Sequence, residues 1–260
     1  MLTAEEVFSQ TFGRFMLTWS FITSLRQVSE VALPIAEEAL AAMHAEAVEA
    51  IATDPDYSKI IVNLDGSHSS WSDQLKRLIR TAMTETAISN ARQAVDAASL
   101  VFAQSMLDDS AWSYCRVCAL IAPQDWEPFV EAKKVDFGTL SRQSAESIRD
   151  ELIQATLDQL ERDSLLKKVD MLFRLCNPPE GFAPVGNYIF DRTRLSVIDN
   201  QRHRIIHADG LRTQLSNVDD DLTYVIKTGN YLMGLVNQKY GVRIHPLKVF
   251  PQPATRSAAS

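Results

Sequence analysis

The chain has 260 residues, 46% apolar and 23% charged: enough for one large or two small domains with a real hydrophobic core, and too apolar for disorder. Twenty-six basic against 33 acidic side chains leave a net charge of −7, which does not advertise general affinity for nucleic acid or an anionic membrane and leaves room for a local basic site. Nine glycines are too few for the turns of a sandwich, barrel or doubly wound sheet, and three cysteines do not make a disulfide framework. The expected class is all-α, a helical bundle with an N-terminal helical extension. Met1-Leu2-Thr3-Ala4-Glu5-Glu6 lacks the order of a signal peptide, and the apolar-leaning stretch Phe15 to Leu25 is too short for a bilayer, so a cytoplasmic setting is expected.

Residues 4–29 read as a helix in which Phe8, Phe12, Phe15, Trp19 and Ile22 recur at three and four, a stripe for a core or a dimer interface rather than a platform for bases. Pro34 is expected to start the next helix, rich in Ala and Glu, which ends near Thr53-Asp54-Pro55-Asp56. The stretch from Asp54 to Ser70, with its Asp-Pro, Asp-Gly and Ser-His-Ser-Ser, is the expected boundary; Ile60-Ile61-Val62 inside it fits a short strand or a buried loop. Helical pattern resumes at Trp71, and Ile88, Ala91, Val95, Ala98, Phe102 and Met106 form a stripe. A shorter apolar helix over 111–121 is stopped by Pro123. An amphipathic helix over 139–160 places Ile148, Leu152 and Ala155 on one side. Leu165, Val169, Leu172 and Phe173 mark another, closed by Asn177-Pro178-Pro179. Residues 191–207 read as a helix stopped by Asp209-Gly210, and a last one over 218–239 buries Leu222, Val225, Ile226, Leu232, Met233 and Val236. The chain thus divides into an extension over 1–56, a bundle over 70–242 and a flexible tail over 246–260.

One helix breaks its own pattern. Leu195, Ile198, Arg202 and Ile205 fall on one stripe, so a guanidinium stands where an apolar residue belongs, at a cost unless it is paired or faces a polar cleft. His203 follows directly and His207 one turn later, in the last turn, where open carbonyls favour a cation. Histidine is the side chain that exchanges protons near neutrality.

The run Asp199-Asn200-Gln201-Arg202-His203-Arg204-Ile205-Ile206-His207 resembles the R-x4–6-H signature of HEPN domains. There an arginine, usually followed by a polar residue, precedes a histidine near a helix end; here the spacing is four, and His203 fills the slot often taken by asparagine. HEPN domains are all-α bundles with this motif on a late helix followed by one more long helix, an order that 191–207 and 218–239 repeat. The likeness spans residues 71–242, of which only nine are motif-grade. It implies a metal-independent endoribonuclease without a cofactor, often a toxin or defence effector, acting as a homodimer on RNA and in some cases held by an antitoxin or regulatory protein. In that chemistry His207 accepts the proton of a ribose 2′-hydroxyl, Arg202 stabilises charge on the phosphoryl oxygens, and His203 orients phosphate or His207 or protonates the leaving group. A five-residue step turns about 140° on an ideal helix, so Arg202 and His207 of one chain point apart; a composite site between two chains removes that difficulty.

Two other readings stand beside it. A non-catalytic HEPN-like module binding nucleotide, RNA or a protein partner suits the acidic balance better. A structural scaffold predicts a fully ion-paired Arg202 and a buried His207. Arg192, Arg194, Arg204 and Arg212 are candidates to extend a phosphate surface, though each also fits a solvated face. Cys115-Arg116-Val117-Cys118 has the spacing of a zinc half-site, but no second pair follows, and its apolar helix predicts buried, inert thiols. His44, His68 and His245 are isolated, and no glycine-rich phosphate loop or paired-histidine metal helix is present.

Overall fold

The computed structural model describes residues 2–52, 60–62, 68–70, 74, 77–78, 84–130, 141–186, 188–207 and 215–245. Six long helices account for most of them: α1 (Ala4–Ala52), α2 (Thr86–Ile121), α3 (Ala145–Arg162), α4 (Leu165–Cys176), α5 (Arg192–His207) and α6 (Val218–Tyr240). The fold is all-α apart from one antiparallel ribbon, in which Ile60–Val62 pairs with His68–Ser70 and Ile61 stands opposite Ser69, so the first of these runs is a strand. Among the described residues no helix is long and apolar enough to cross a membrane.

Local chemistry explains most helix ends. Thr3 and Glu6 close a reciprocal box at the start of α1: Glu6 N donates to Thr3 Oγ1 at 3.2 Å and Thr3 N to Glu6 Oε2 at 2.8 Å. The helix then runs through Pro34 to Ala52 instead of restarting there. A proline inside a helix removes one amide donor and crowds the carbonyl four residues back. Here Pro34 and Glu30 are both exposed, so water can satisfy what the ring displaces. α2 is likewise one helix where two were expected. The polar run Asp108-Asp109-Ser110 is no break, because Ser110 is buried and Asp108 is half-buried against a cation on α4. Pro123 ends α2 as expected and opens a short 3-10 segment, Pro123–Phe129, whose Trp126 is fully buried.

α3 begins at Ala145, not 139, because Ser144 caps it by accepting from Ser147 N at 3.2 Å. Its buried face is Ile153, Leu157 and Leu160, while Ala155 is exposed. Three large side chains at steps of four and three outweigh a stripe that ends in alanine. α4 stops where Asn177 turns left-handed (φ 43°) and its amide donates to Phe173 O, and α6 stops at Gly241 (φ 69°). Residues 246–260 and the Asp209-Gly210 pair, the expected tail and helix stop, lie outside the described residues.

The chain divides into two compact units that do not follow chain order: residues 1–22, 100–203 and 217–260 form one, and residues 23–99 and 204–216 the other. In the first, Phe8, Phe15 and Ile22 of the aromatic stripe are buried, with Phe12 and Trp19 half-buried, so the start of α1 is core. Phe8 lies 5.5 Å from Tyr114 between ring centroids. Phe15 presses on Gly229 of α6, where an added Cβ would fall 2.2 Å from the ring; only glycine admits that approach. α4 and α6 pack against each other, and Val169, Leu172, Leu175, Leu232, Leu235 and Val236 are all buried. In the second unit Arg26 pairs with Asp96, and His44 Nδ1 lies 2.8 Å from Thr84 Oγ1.

Candidate functional site

α5 is held from its first residue. Asp191 Oδ1 accepts from the amides of Thr193 (2.8 Å) and Arg194 (3.1 Å), satisfying two of the open donors of the first turn. Tyr224 of α6 grips the same residue, donating its hydroxyl to Asp191 O at 2.6 Å and accepting from Asp191 N at 3.1 Å. Midway along, the buried Gln104 of α2 donates Nε2 to Ile198 O at 2.6 Å. Leu195 and Ile198 are buried below these contacts, as their spacing predicts.

Arg202 follows on that face. Its side chain is 30% exposed, and its ion pair is a long one, Nη1 to Asp199 Oδ1 at 3.9 Å. That separation is beyond hydrogen-bond reach. Nε is buried and has no hydrogen-bond partner among the described residues. A scaffold role predicted a fully paired Arg202 and a buried His207; Arg202 is underpaired and His207 is exposed. His203 is exposed too. All three residues lie on α5, which runs unbroken to His207, but the division between the compact units falls after His203. Arg202 and His203 belong to the first unit and His207 to the second.

The surroundings of Arg202 include charges that the sequence did not flag. Lys168 of α4 is buried and donates Nζ to Asp108 Oδ2 of α2 at 2.7 Å. The fields of Arg202, Asp108, His203 and Lys168 all reach Asp199. Burial pushes the Asp199 carboxyl above the usual carboxylate range, and Arg202 pulls it back. Arg202 thus sits at the edge of a partly buried polar cluster, with donors to spare for an anion. The sequence signal for Lys168 was the same as for Arg202: a cation on an apolar stripe, between Leu165 and Leu172.

Of the other arginines, Arg192 and Arg194 pair with carboxylates. Arg192 grips both oxygens of Asp170 at 2.9 and 2.8 Å, and its hydrogen bonds hold that carboxyl below the usual range. Arg194 lies 4.7 Å from the Tyr224 ring centroid and 3.3 Å from Asp221. Arg204 is exposed, and Arg212 is outside the described residues. Arg194 also lines a cavity of about 590 Å³ with Tyr188, Asp191, Thr223, Tyr224 and Lys227. The three cysteines are buried, and burial pushes the Cys115 and Cys118 thiols up, as inert thiols require. Cys176, distant in sequence, interacts directly with Cys118. Among the described residues no group of three or more His, Cys, Asp or Glu side chains is arranged to hold a metal ion. No family model, no curated protein and no solved structure matches this chain.

Proposed function

We propose that this protein is a metal-independent endoribonuclease of the HEPN type, a toxin or defence effector restrained by a partner protein, with Arg202, His203 and His207 as its catalytic residues. The observation that carries the reading is Arg202: a guanidinium on an otherwise apolar stripe, 30% exposed, whose ion pair with Asp199 is as long as 3.9 Å. Such a donor set suits a phosphoryl oxygen. The exposed His207, in the last turn of the same helix, supplies the base.

In the proposed reaction His207 takes the proton of a ribose 2′-hydroxyl, and that oxygen attacks the adjacent phosphorus. The bond to the 5′-oxygen of the next nucleotide breaks, and His203 returns a proton to it. The products are a 2′,3′-cyclic phosphate and a 5′-hydroxyl, and water balances no step. Arg202 stabilises the charge that builds on the non-bridging oxygens. Because a five-residue helical step turns about 140°, Arg202 and His207 act in a composite site built by two chains.

The test is incubation of total RNA with purified protein in excess EDTA, wild type beside Arg202→Ala and His207→Ala. Wild type is expected to cut, and each variant to lose roughly 10²–10⁴-fold in rate. No cutting, or equal cutting by all three, removes the catalytic assignment. The second reading, a binding module without catalysis, is favoured by the net charge of −7 and by the cavity of about 590 Å³ beside Arg194 and Lys227. It expects binding of RNA or mononucleotide by the intact chain and no products.

A further inference from the structure

The part of α1 that lies in the second compact unit has two apolar sides. One carries Leu33 and Leu40, both half-buried, on the side of Arg26 and His44, which bond to Asp96 and Thr84. The other is open: Val28, Val31, Ile35 and Met43 are 65, 67, 63 and 55% exposed. On a helix of 3.6 residues per turn these four share one stripe with Ser24, Ala32, Ala39 and Ala42, and no charged residue interrupts it from Ser24 to Met43. Glu30 and Glu37 project from the opposite side, and Glu38 stands at the edge. A helix apolar on two sides must bury the second against another surface.

We propose that this stripe is a homodimer seam, occupied by the same stripe of a second copy running antiparallel about a two-fold axis at Ile35. The argument is self-complementarity. The large residues Val28 and Val31 lie before Ile35 and the small residues Ala39 and Ala42 after it, at matching distances. Reversing one helix about Ile35 sets each Ala39 against Val31 of the other chain, each Ala42 against Val28, and Ile35 against itself. Valine meets alanine on both sides of the central Ile35 pair, which is what a two-fold seam needs, since each chain offers the same patch. A parallel pairing would set valine on valine and alanine on alanine, leaving gaps at one end and crowding at the other. Antiparallel pairing also places Glu38 opposite Ala32, away from another carboxylate. The exposed stripe amounts to roughly 500 Å² per chain, and about 1,000 Å² in total is the lower bound for a specific interface, so the dimer is a micromolar one. The seam uses none of the catalytic residues and stands without the ribonuclease reading.

Sedimentation velocity of the full chain without RNA tests it between about 1 and 100 µM, a range that brackets a micromolar constant. Wild type is expected to pass from monomer to dimer, and Ile35→Glu to shift the midpoint at least ~100-fold upward with unchanged helical circular dichroism, because it places two like charges in the seam. A chain that stays monomeric at the top of this range, or an undiminished dimer in Ile35→Glu, overturns the proposal. Cysteine cross-linking reads the geometry without relying on that variant, since Cys115, Cys118 and Cys176 are all buried. Ile35→Cys is expected to form a covalent dimer under mild oxidation and Val28→Cys alone to form none, because antiparallel pairing keeps the two Val28 positions roughly 20 Å apart. Cross-linking of both means a parallel seam, and of neither a foreign partner; each outcome rejects the pairing. Dimerisation without RNA cleavage sinks only the ribonuclease reading.

Discussion

Two helices carry the same irregularity and resolve it in opposite ways. α4 sets Lys168 on its apolar face, and α5 sets Arg202 on its own. Lys168 is buried, its side chain 3% exposed, and its Nζ meets Asp108 at 2.7 Å. Arg202 is 30% exposed, its nearest carboxylate is 3.9 Å away, and its Nε has no partner among the described residues. A cation withdrawn from water and matched to a carboxylate is a structural element. One left half in water with spare donors contributes little to stability and is suited to binding an anion. The difference between the two helices separates a cation committed to a carboxylate of the fold from one whose donors are not all taken.

The largest effect that sharpens this contrast is at Lys168. Lys168→Ala leaves Asp108 without its cation and is expected to lower unfolding stability by about 3–5 kcal/mol, as breaking a buried pair does. Urea denaturation reads it, and a loss below 1 kcal/mol would show that the pair is not structural. Arg202→Ala should do the reverse, changing stability by no more than about 0.5–1 kcal/mol while cleavage falls roughly 10²–10³-fold, or about 2.7–4 kcal/mol of barrier. An Arg202 variant as unstable as the Lys168 one would erase the distinction. Next comes Tyr224→Phe, which removes the hydroxyl that donates to Asp191 O at the start of α5. About 1 kcal/mol is expected, with faster hydrogen exchange at the first turn of α5 than in α4.

The smallest effects are those of pH, and the two helices differ in sign. Asp170 of α4 is held below the ordinary carboxylate range by hydrogen bonds from Arg192 of α5. Folded, it gives up its proton at lower pH than unfolded. Its contribution is complete above the ordinary range and is lost as pH falls through the folded value. Asp199 is raised, chiefly by burial. Folded, it keeps its proton to higher pH than unfolded, so its contribution is complete below the ordinary range and is lost as pH rises through the folded value. Thermal midpoints followed across about pH 3 to 7 should therefore change in opposite directions for Asp170→Asn and Asp199→Asn. The same direction for both would break the comparison.

Much of the helical plan was legible along the chain. α5 and α6 start and stop within a residue of where their apolar periods begin and fade, and α4 ends at the asparagine before two prolines. These features are local: a period of 3.6, a capping side chain and a residue that tolerates a left-handed turn act within one or two turns. The errors came where a local signal met a non-local one. Pro34 looked like a helix start, yet the helix runs through it. Residues up to Met106 and residues 111–121 read as two helices because the partners of the polar residues between them were invisible: Asp108 faces Lys168, and Asp109 faces Arg14 at 3.3 Å. In α3 the stripe was placed one residue too early, since two phases of the pattern offered apolar residues and only packing against neighbours chose Leu157 over Ala155.

The candidate site was half legible. Arg202, His203 and His207 were visible as residue types on one helix, and the structure leaves all three at least partly exposed. The cluster around Asp199 was not visible, because Asp108 comes from α2 and Lys168 from α4, up to 91 residues from Asp199 by numbering. The amino-acid sequence by itself determined most of the helices and the cation Arg202 on an apolar face, since each depends on neighbours within a turn or two. Only the tertiary structure decided which cation is satisfied, because a charge on an apolar stripe is structural or available according to what another helix presents to it. α2 brings a carboxylate to 2.7 Å of Lys168, whereas Arg202 has Asp199 of its own helix at 3.9 Å.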